Sequence, residues 1–271
     1  MLQDRETYTH GHHESVVEQH AMRTAGEAAA FFKPYLRPDM ALLDLGCGPG
    51  SITVGLAEWL SDGSVVGVEL DGGVLEAGRE QAREMGLSNV EFQVASVYEL
   101  PFEDETFDAV YAHQVLQHLG QPADALTEAR RVLKPGGVIG VREVDWGSAI
   151  VWPEMSEITR FLDIYHRVTA RNGGDADVGR RLRALFNGAG FTDVRVGAGI
   201  WSFGTMELTK QWGESWARRV LESNIADRAV EYGIASKQEL EEASAGWLRW
   251  SVEPDAYFSF SHGEAVGWKA A

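Results

Sequence analysis

Asp44-Leu45-Gly46-Cys47-Gly48-Pro49-Gly50 closes a short apolar run at 40–45 and precedes a helix-like stretch at 51–60. Glycines at alternate positions allow positive φ and let a ligand approach the main chain closely. The free N–H groups of a helix start face whatever sits in such a loop. By itself this signals a nucleotide-like ligand. A dinucleotide fingerprint, G-x-G-x-x-G, needs Gly or Ala at position 51, where this chain has Ser. Pro49 also removes an N–H that a pyrophosphate would use. A second apolar run, 64–70, carries Glu69, 19 residues beyond Gly50. A carboxylate there can accept two hydrogen bonds from ribose hydroxyls. The rival reading, a surface acid at a strand end, leaves the joint spacing of strand, glycine loop, helix, strand and acid without a reason.

Other candidates for chemistry are histidines and acids. Tyr8, His10, His12, His13, His20 and Arg23 crowd the N-terminus. His-x-His is a conceivable metal-ligand pair, but no cysteine lies nearby and no carboxylate stands at motif spacing, so no metal is assigned. Glu143, Asp145, His113 and His166 are the titratable groups expected near the carboxyl edge of a sheet. No one of them is singled out as a catalytic base.

These residues need elements to hold them. Apolar runs at 40–45, 64–70, 90–95, 107–112 and 138–144 read as strands, and 51–60, 74–85 and 122–133 as helices between them. Strands alternating with helices imply a parallel sheet covered on both faces. Beyond Asp145 the texture changes, and eight of the nine tryptophans follow it. Helices are expected at 153–170, 178–187, 208–220 and 237–250. Strands are expected at 191–200 and from 257 towards 268. The fold class is therefore α/β: a doubly wound, Rossmann-like, seven-stranded, mostly parallel sheet with a helical cap. Three regions follow: an N-terminal helical flap (1–35), a cofactor-binding core (36–145), and the remaining strands plus a substrate cap (146–271), with insertions at about 146–176 and 201–250.

Composition narrows the function. The 271 residues carry 41 acidic and 24 basic side chains, a formal net charge of −17, which argues against gripping phosphate backbones. The acid excess is concentrated before residue 146, and the cap half is near neutral at −3. The single cysteine, Cys47, excludes an intramolecular disulfide. No apolar run reaches the roughly 18–20 residues that span a bilayer, and the N-terminus has no signal-peptide core. A cytoplasmic protein with no nucleic-acid or membrane partner is expected; self-association as a homo-oligomer stays open.

Taken in order, LLDLGCGPG, VVGVEL, FDAVYAHQVLQHL and RVLKPGG resemble class I S-adenosylmethionine-dependent methyltransferases, in particular the small-molecule group that includes ubiquinone/menaquinone C-methyltransferases. The resemblance is specific over about 40–145. It implies S-adenosylmethionine as cofactor, with Gly46, Cys47 and Gly48 lining its methionine part and Asp44 placing the loop and helping hold the amino group. It puts Glu69 on the ribose diol and Leu70 against the adenine. Relatives carry Asp-Ala after the third strand, where this chain has Ser96-Val97, so an uncharged hydroxyl would meet the adenine amino group. His113 is implied beside the methionine part, and His118 is frequent in relatives. The flap would bring Tyr8 to the methionine end and Arg23 to its carboxylate.

The expected function is methyl transfer to a small, partly apolar, ring-containing metabolite, as in natural-product biosynthesis. A quinone-ring C-methyltransferase is the alternative. An NAD-dependent oxidoreductase and a cofactor-binding protein without turnover are the rivals of other classes. The cap tryptophans 146, 152, 201, 212, 216, 247 and 250 are expected to split between core packing and an acceptor pocket, with two or three facing the pocket.

Overall fold

The computed structural model describes residues 23–271. Tyr8 and His10, His12, His13 and His20 lie outside the described residues. Seven strands form one sheet in the order β3-β2-β1-β4-β5-β7-β6. Their ranges are β1 Ala41–Leu45, β2 Ser64–Glu69, β3 Val90–Val94, β4 Phe107–His113, β5 Leu133–Trp152, β6 Thr192–Phe203 and β7 Tyr257–Trp268. The first five pair in parallel, and β7 runs antiparallel to both neighbours. The order reverses between β1 and β4, and the carboxyl ends of those two strands bound the crevice where such sheets bind ligands.

The helices are α1 Ala25–Ala28, α2 Ser51–Trp59, α3 Leu75–Glu84, α4 Pro122–Val132, α5 Ser156–Arg171, α6 Leu182–Gly188, α7 Met206–Glu222, α8 Asn224–Glu231 and α9 Lys237–Trp250. On one face of the sheet Phe32, Leu42, Leu56 and Tyr111 form a core with α1 and α2. On the other, Leu43, Val110, Leu126, Val141 and Phe186 pack with α4 and α6. A third cluster joins α5, α7, α8 and α9 around Trp216, Trp247, Trp250 and Phe258. Of the cap helices, α9 starts at its expected residue, α7 two residues before its expected start and α5 three residues after. Thr205 caps α7 by accepting from Leu208 N–H, and Ser236 with Glu239 forms a capping box on α9.

The fifth strand differs from its expected end at Val144. It continues to Trp152, and its ladder with β7 shifts register between Asp145 and Ile150 before resuming. The bulge is built by side chains. Ser148 Oγ donates to Asp145 O (2.6 Å) and accepts from Ser261 N–H (2.7 Å). Gly147 N–H donates to Asp177 Oδ1 (2.6 Å), whose carboxylate also meets His166 Nε2 at 3.0 Å. Arg180 forks onto Asp145 from the turn before α6. A bulge bends and twists a strand. Here it lets β5, β6 and β7 carry the sheet on into the cap as a three-stranded ribbon. This ribbon stands beside four helices, α5 and α7 to α9, within the ranges 146–176 and 201–250, and α8 is absent from the sequence reading.

Candidate active site

The glycine loop leaves β1 at its carboxyl end. Gly46 (φ 61°) and Gly48 (φ 54°) both hold left-handed backbone. They differ in surroundings: a β-carbon on Gly46 would lie 2.6 Å from Val115 Cγ2, while one on Gly48 would meet nothing within 4 Å. Gly46 is thus a packing requirement, and Gly48 faces open space of the kind a ligand fills. Asp44 is buried below the loop and accepts from Thr53 Oγ1 (2.7 Å), tying the loop to α2. Burial pushes its carboxyl up to about 7, with Thr53 opposing and Glu69 adding. A buried carboxyl held there ionises readily when an ammonium group comes near. The Cys47 N–H donates to Val68 O (3.0 Å), and its partly buried thiol is held well above the ordinary range by burial, Asp44 and Glu69.

Glu69, at the end of β2, brackets the loop. Its Oε2 accepts from Gly48 N–H (3.0 Å) and its Oε1 from Leu70 N–H (2.7 Å). Oε1 also accepts a long contact from Asp71 N–H (3.5 Å), and Oε2 keeps a lone pair for a further donor. Leu70 is 63% exposed, an apolar side chain next to the loop that the protein leaves mostly uncovered. Ser96 and Val97 follow β3. Ser96 Oγ accepts from Tyr98 N–H (3.2 Å), which leaves its hydroxyl proton to give, and Val97 packs partly against the core. Asp44, Gly46, Cys47, Gly48 and Glu69 thus lie in the loop and at its rim, with Gly48 and Glu69 joined directly and Asp44 and Cys47 anchored to Thr53 and Val68.

His113 ends β4. It is buried, and neither ring nitrogen has a partner among the described residues. Its ring stacks at 6.3 Å on His262 of β7 and lies 6.2 Å from Trp201. Burial, then Arg23 and Arg142, hold its pKa well below 6.5, so the ring is uncharged. The turn after it is fixed by Glu143, buried on β5, which accepts from Val115 N–H (2.8 Å), Leu116 N–H (2.7 Å) and Gln117 N–H (3.3 Å). Burial raises the Glu143 carboxyl to about 8 against the pull of those three donors. Glu143 therefore acts as a brace for the turn. Asp145 and His166 are likewise taken up by the bulge.

Above this turn lies a cavity of about 30 Å³. Gln114, Gln117 and His118 come from the turn, and Trp146, Trp201, Trp212, Trp216 and Phe260 from the cap and its ribbon. Arg23 and Arg219 complete the lining. Arg23 donates to Gln114 Oε1 (2.9 Å) and stands 5.5 Å from the Trp201 ring, which Arg142 flanks at 5.2 Å. Four of the seven cap tryptophans thus reach the cavity, more than the two or three expected. Trp247 and Trp250 are fully buried in the cap core, and Trp152 is 59% exposed. Gln114, Gln117, Arg219 and His262 are site residues that the sequence reading did not pick out. Gln114 and Gln117 sat inside the quoted AHQVLQHL motif, but Arg219 and His262 carried no local signal.

A family model described as a methyltransferase domain matches residues 36–173. An uncharacterized methyltransferase of Schizosaccharomyces pombe is 34% identical over 97% of this chain and 96% of its own length, cap included. A ubiquinone/menaquinone biosynthesis C-methyltransferase of Brucella anthropi is 40% identical, but over only 40% of this chain and 42% of its own. Among solved structures, phosphoethanolamine N-methyltransferase 2 of Haemonchus contortus, in complex with phosphomonomethylethanolamine and S-adenosylhomocysteine, superposes on 91% of this chain and 53% of its own. The TM-score is 0.55 at 18% identity, a likeness of fold.

Proposed function

The chain belongs to the S-adenosylmethionine-dependent methyltransferases, and on that premise we propose that it methylates a small, partly apolar acceptor held between the turn after β4 and the cap. The observation that carries this reading is the cavity, because Trp146, Trp201, Trp212, Trp216, Arg219 and Phe260 of its wall come from the part of the chain that the cofactor motifs leave unused.

The cofactor motifs fit their ligand. Gly48 leaves space where a side chain would intrude, Glu69 Oε2 has a lone pair to spare for a ribose hydroxyl, and Leu70 offers an apolar face. In this reading Asp44 meets the amino group, Ser96 and Val97 border the adenine, and Cys47 and His113 border the methionine part. Arg23 stands in the wall where its charge serves a carboxylate of either ligand. Bound cofactor supplies a methyl group already activated by its sulfonium, so the chain's task is alignment and exclusion of water. Glu143 performs the first by fixing the turn and the indoles the second by closing over it. A base is required only for an acceptor that must lose a proton. Neutral, buried His113 can take part in a hydrogen bond but is a weak base.

The quinone-methyltransferase relative matches only 40% of this chain, and the motifs LLDLGCGPG to RVLKPGG end at Gly137, before the cap, so they support the cofactor and leave the acceptor to the cap. The test is transfer of a labelled methyl group from S-adenosylmethionine into fractions of a cell extract. Label in the fraction below 1 kDa is expected. Label only in protein or nucleic acid, or calorimetric binding of NAD without binding of S-adenosylhomocysteine, refutes the reading.

A further inference from the structure

Two residues in the wall of the cavity under the cap carry polar atoms that the protein leaves unsatisfied. The Trp212 indole N–H, on α7, has no acceptor among the described residues, and the Gln117 side-chain oxygen, on the turn after β4, has no donor. Both residues are more than nine-tenths buried. An unmade hydrogen bond of this kind is costly, so a donor and an acceptor left open in one cavity wall mark where a ligand completes them. The cap does satisfy an indole within its own core: Trp250 Nε1 donates to Trp152 O (2.9 Å). Trp247 also lacks an acceptor among the described residues, but it lines no part of this cavity.

Neither residue is free to swing away. Gln117 N–H donates to Glu143 (3.3 Å), and its main-chain carbonyl accepts from Asp175 N–H (2.9 Å). Its side-chain Nε2 donates to Gln114 O (3.4 Å), which orients the amide and leaves the oxygen as the open atom. The Trp212 ring stacks on Phe203 at 4.1 Å and on Phe260 at 5.8 Å. An indole N–H only donates, and an amide oxygen only accepts. A carboxylate or an ether oxygen therefore answers Trp212 alone, and an ammonium group answers Gln117 alone. A hydroxyl accepts from the one and donates to the other.

We propose that the acceptor carries a hydroxyl group, bound between Trp212 Nε1–H and Gln117 Oε1, on a ring that the aromatic wall encloses. Trp146, Trp201 and Phe260 supply that wall, with Trp146 and Phe260 stacked at 4.7 Å. Trp212 and Gln117 are then the residues that select the acceptor and orient it. The inference rests on the methyltransferase reading above, since it names the chemistry of what fills the acceptor side of that site.

The experiment uses the full chain, saturated with S-adenosylhomocysteine and labelled with nitrogen-15 in its nine indoles. The indole N–H signal missing from Trp212→Phe belongs to Trp212. Phenol, its methyl isostere toluene, its ether anisole and the rival benzamide are titrated in, followed by 2-naphthol, 2-methylnaphthalene, 2-methoxynaphthalene and 2-naphthamide. A carboxamide also donates and accepts, but from two atoms rather than one. At least one hydroxyl compound should bind fivefold or more tightly than both its methyl isostere and its ether, and should move the Trp212 indole proton downfield where the isostere does not. Gln117→Met and Trp212→Phe should each lose that preference. Should either variant not fold, the comparison on the unaltered chain still decides. If no hydroxyl compound reaches a fivefold preference, or if the carboxamide binds more tightly than the hydroxyl compound, the proposal is overturned while the methyltransferase reading stands. A preference retained in both folded variants also overturns it. Failure of the unaltered chain to bind S-adenosylhomocysteine would instead strike the reading beneath it.

Discussion

Glu69→Ala should weaken binding of S-adenosylhomocysteine by about 10- to 150-fold without unfolding the protein. The carboxylate accepts Gly48 N–H at 3.0 Å on Oε2, and Leu70 N–H at 2.7 Å and Asp71 N–H at 3.5 Å on Oε1, so Oε2 has a lone pair left for one ribose hydroxyl and the long Asp71 contact can yield to the other. Hydrogen bonds to a charged group contribute about 1.5–3 kcal/mol, and each 1.4 kcal/mol is about tenfold in Kd. The structural cost is smaller, because Glu69 is only partly buried and Leu70 is 63% exposed, so water can replace the carboxylate at the freed Leu70 N–H. The melting temperature of the ligand-free variant should stay within a few degrees of the parent. Calorimetry with S-adenosylhomocysteine and its 2′-deoxyribose analogue closes a double-mutant cycle. The parent should lose tenfold or more on removal of the hydroxyl, and the variant less than threefold. Equal affinity of parent and variant, or an undiminished penalty for the deoxy analogue in the variant, refutes the assignment of Glu69 to the diol.

Three further outcomes follow from the same geometry. Gly48→Val should fold, at a cost of about 1–2 kcal/mol for its positive φ, yet lose cofactor binding; Gly46→Ala should chiefly lower the melting temperature, because its β-carbon meets Val115 at 2.6 Å. Calorimetry and thermal melts on the two variants read the contrast, and near-normal binding by folded Gly48→Val would remove the loop from the site. Asp44, raised to about 7 by burial, keeps a proton in the folded state that the unfolded chain releases near its ordinary 3.8. Its contribution is therefore complete below about pH 4 and lost as pH rises through 7, up to about 4 kcal/mol at 1.36 kcal/mol per unit. Melting temperature against pH from 4 to 8 should fall less steeply in Asp44→Asn than in the parent, and identical slopes would contradict the buried proton. Trp247→Ala should cost about 3–5 kcal/mol of stability as a large-to-small core change, whereas Trp152→Ala, at a 59% exposed site, should leave both melting temperature and turnover unchanged.

The parallel half of the fold was legible because its signals are local. Glycine and proline punctuate each turn between residues 40 and 137, and β1 to β4 fall within two residues of their expected bounds. The course of β5 was not, because Gly147-Ser148 after Asp145-Trp146 has the composition of a turn. What makes it a bulge is Ser148 bridging to Ser261, 113 residues away, and Asp177 receiving Gly147 N–H. Helix α8 escaped for a different reason. Ser223 alone separates it from α7, closing one helix and opening the other, and the sequence reading ended its helix at Val220 and assigned nothing before Lys237.

The site divides along the same line. The glycine loop and Glu69 are 19 residues apart and are joined by a hydrogen bond that the βαβ unit itself creates, so spacing alone suffices to find them. The cap tryptophans show why spacing then stops helping. Trp212 and Trp216 stand one helical turn apart on α7, and Trp247 and Trp250 stand three residues apart on α9, so each pair makes an apolar stripe of the same kind. Yet the first pair lines the cavity, and the second is sealed against Phe258. The distinction is set by which helix lies over the carboxyl edge of the sheet, and that depends on the bulge that turns β5 and β7 upward. Arg219 follows Trp216 by three residues and so shares its face of the helix, which brings a cation to the cavity wall along with the indole. On α9 the basic residue beside the pair is Arg249, two positions from Trp247, where it pairs with Glu157 at the surface.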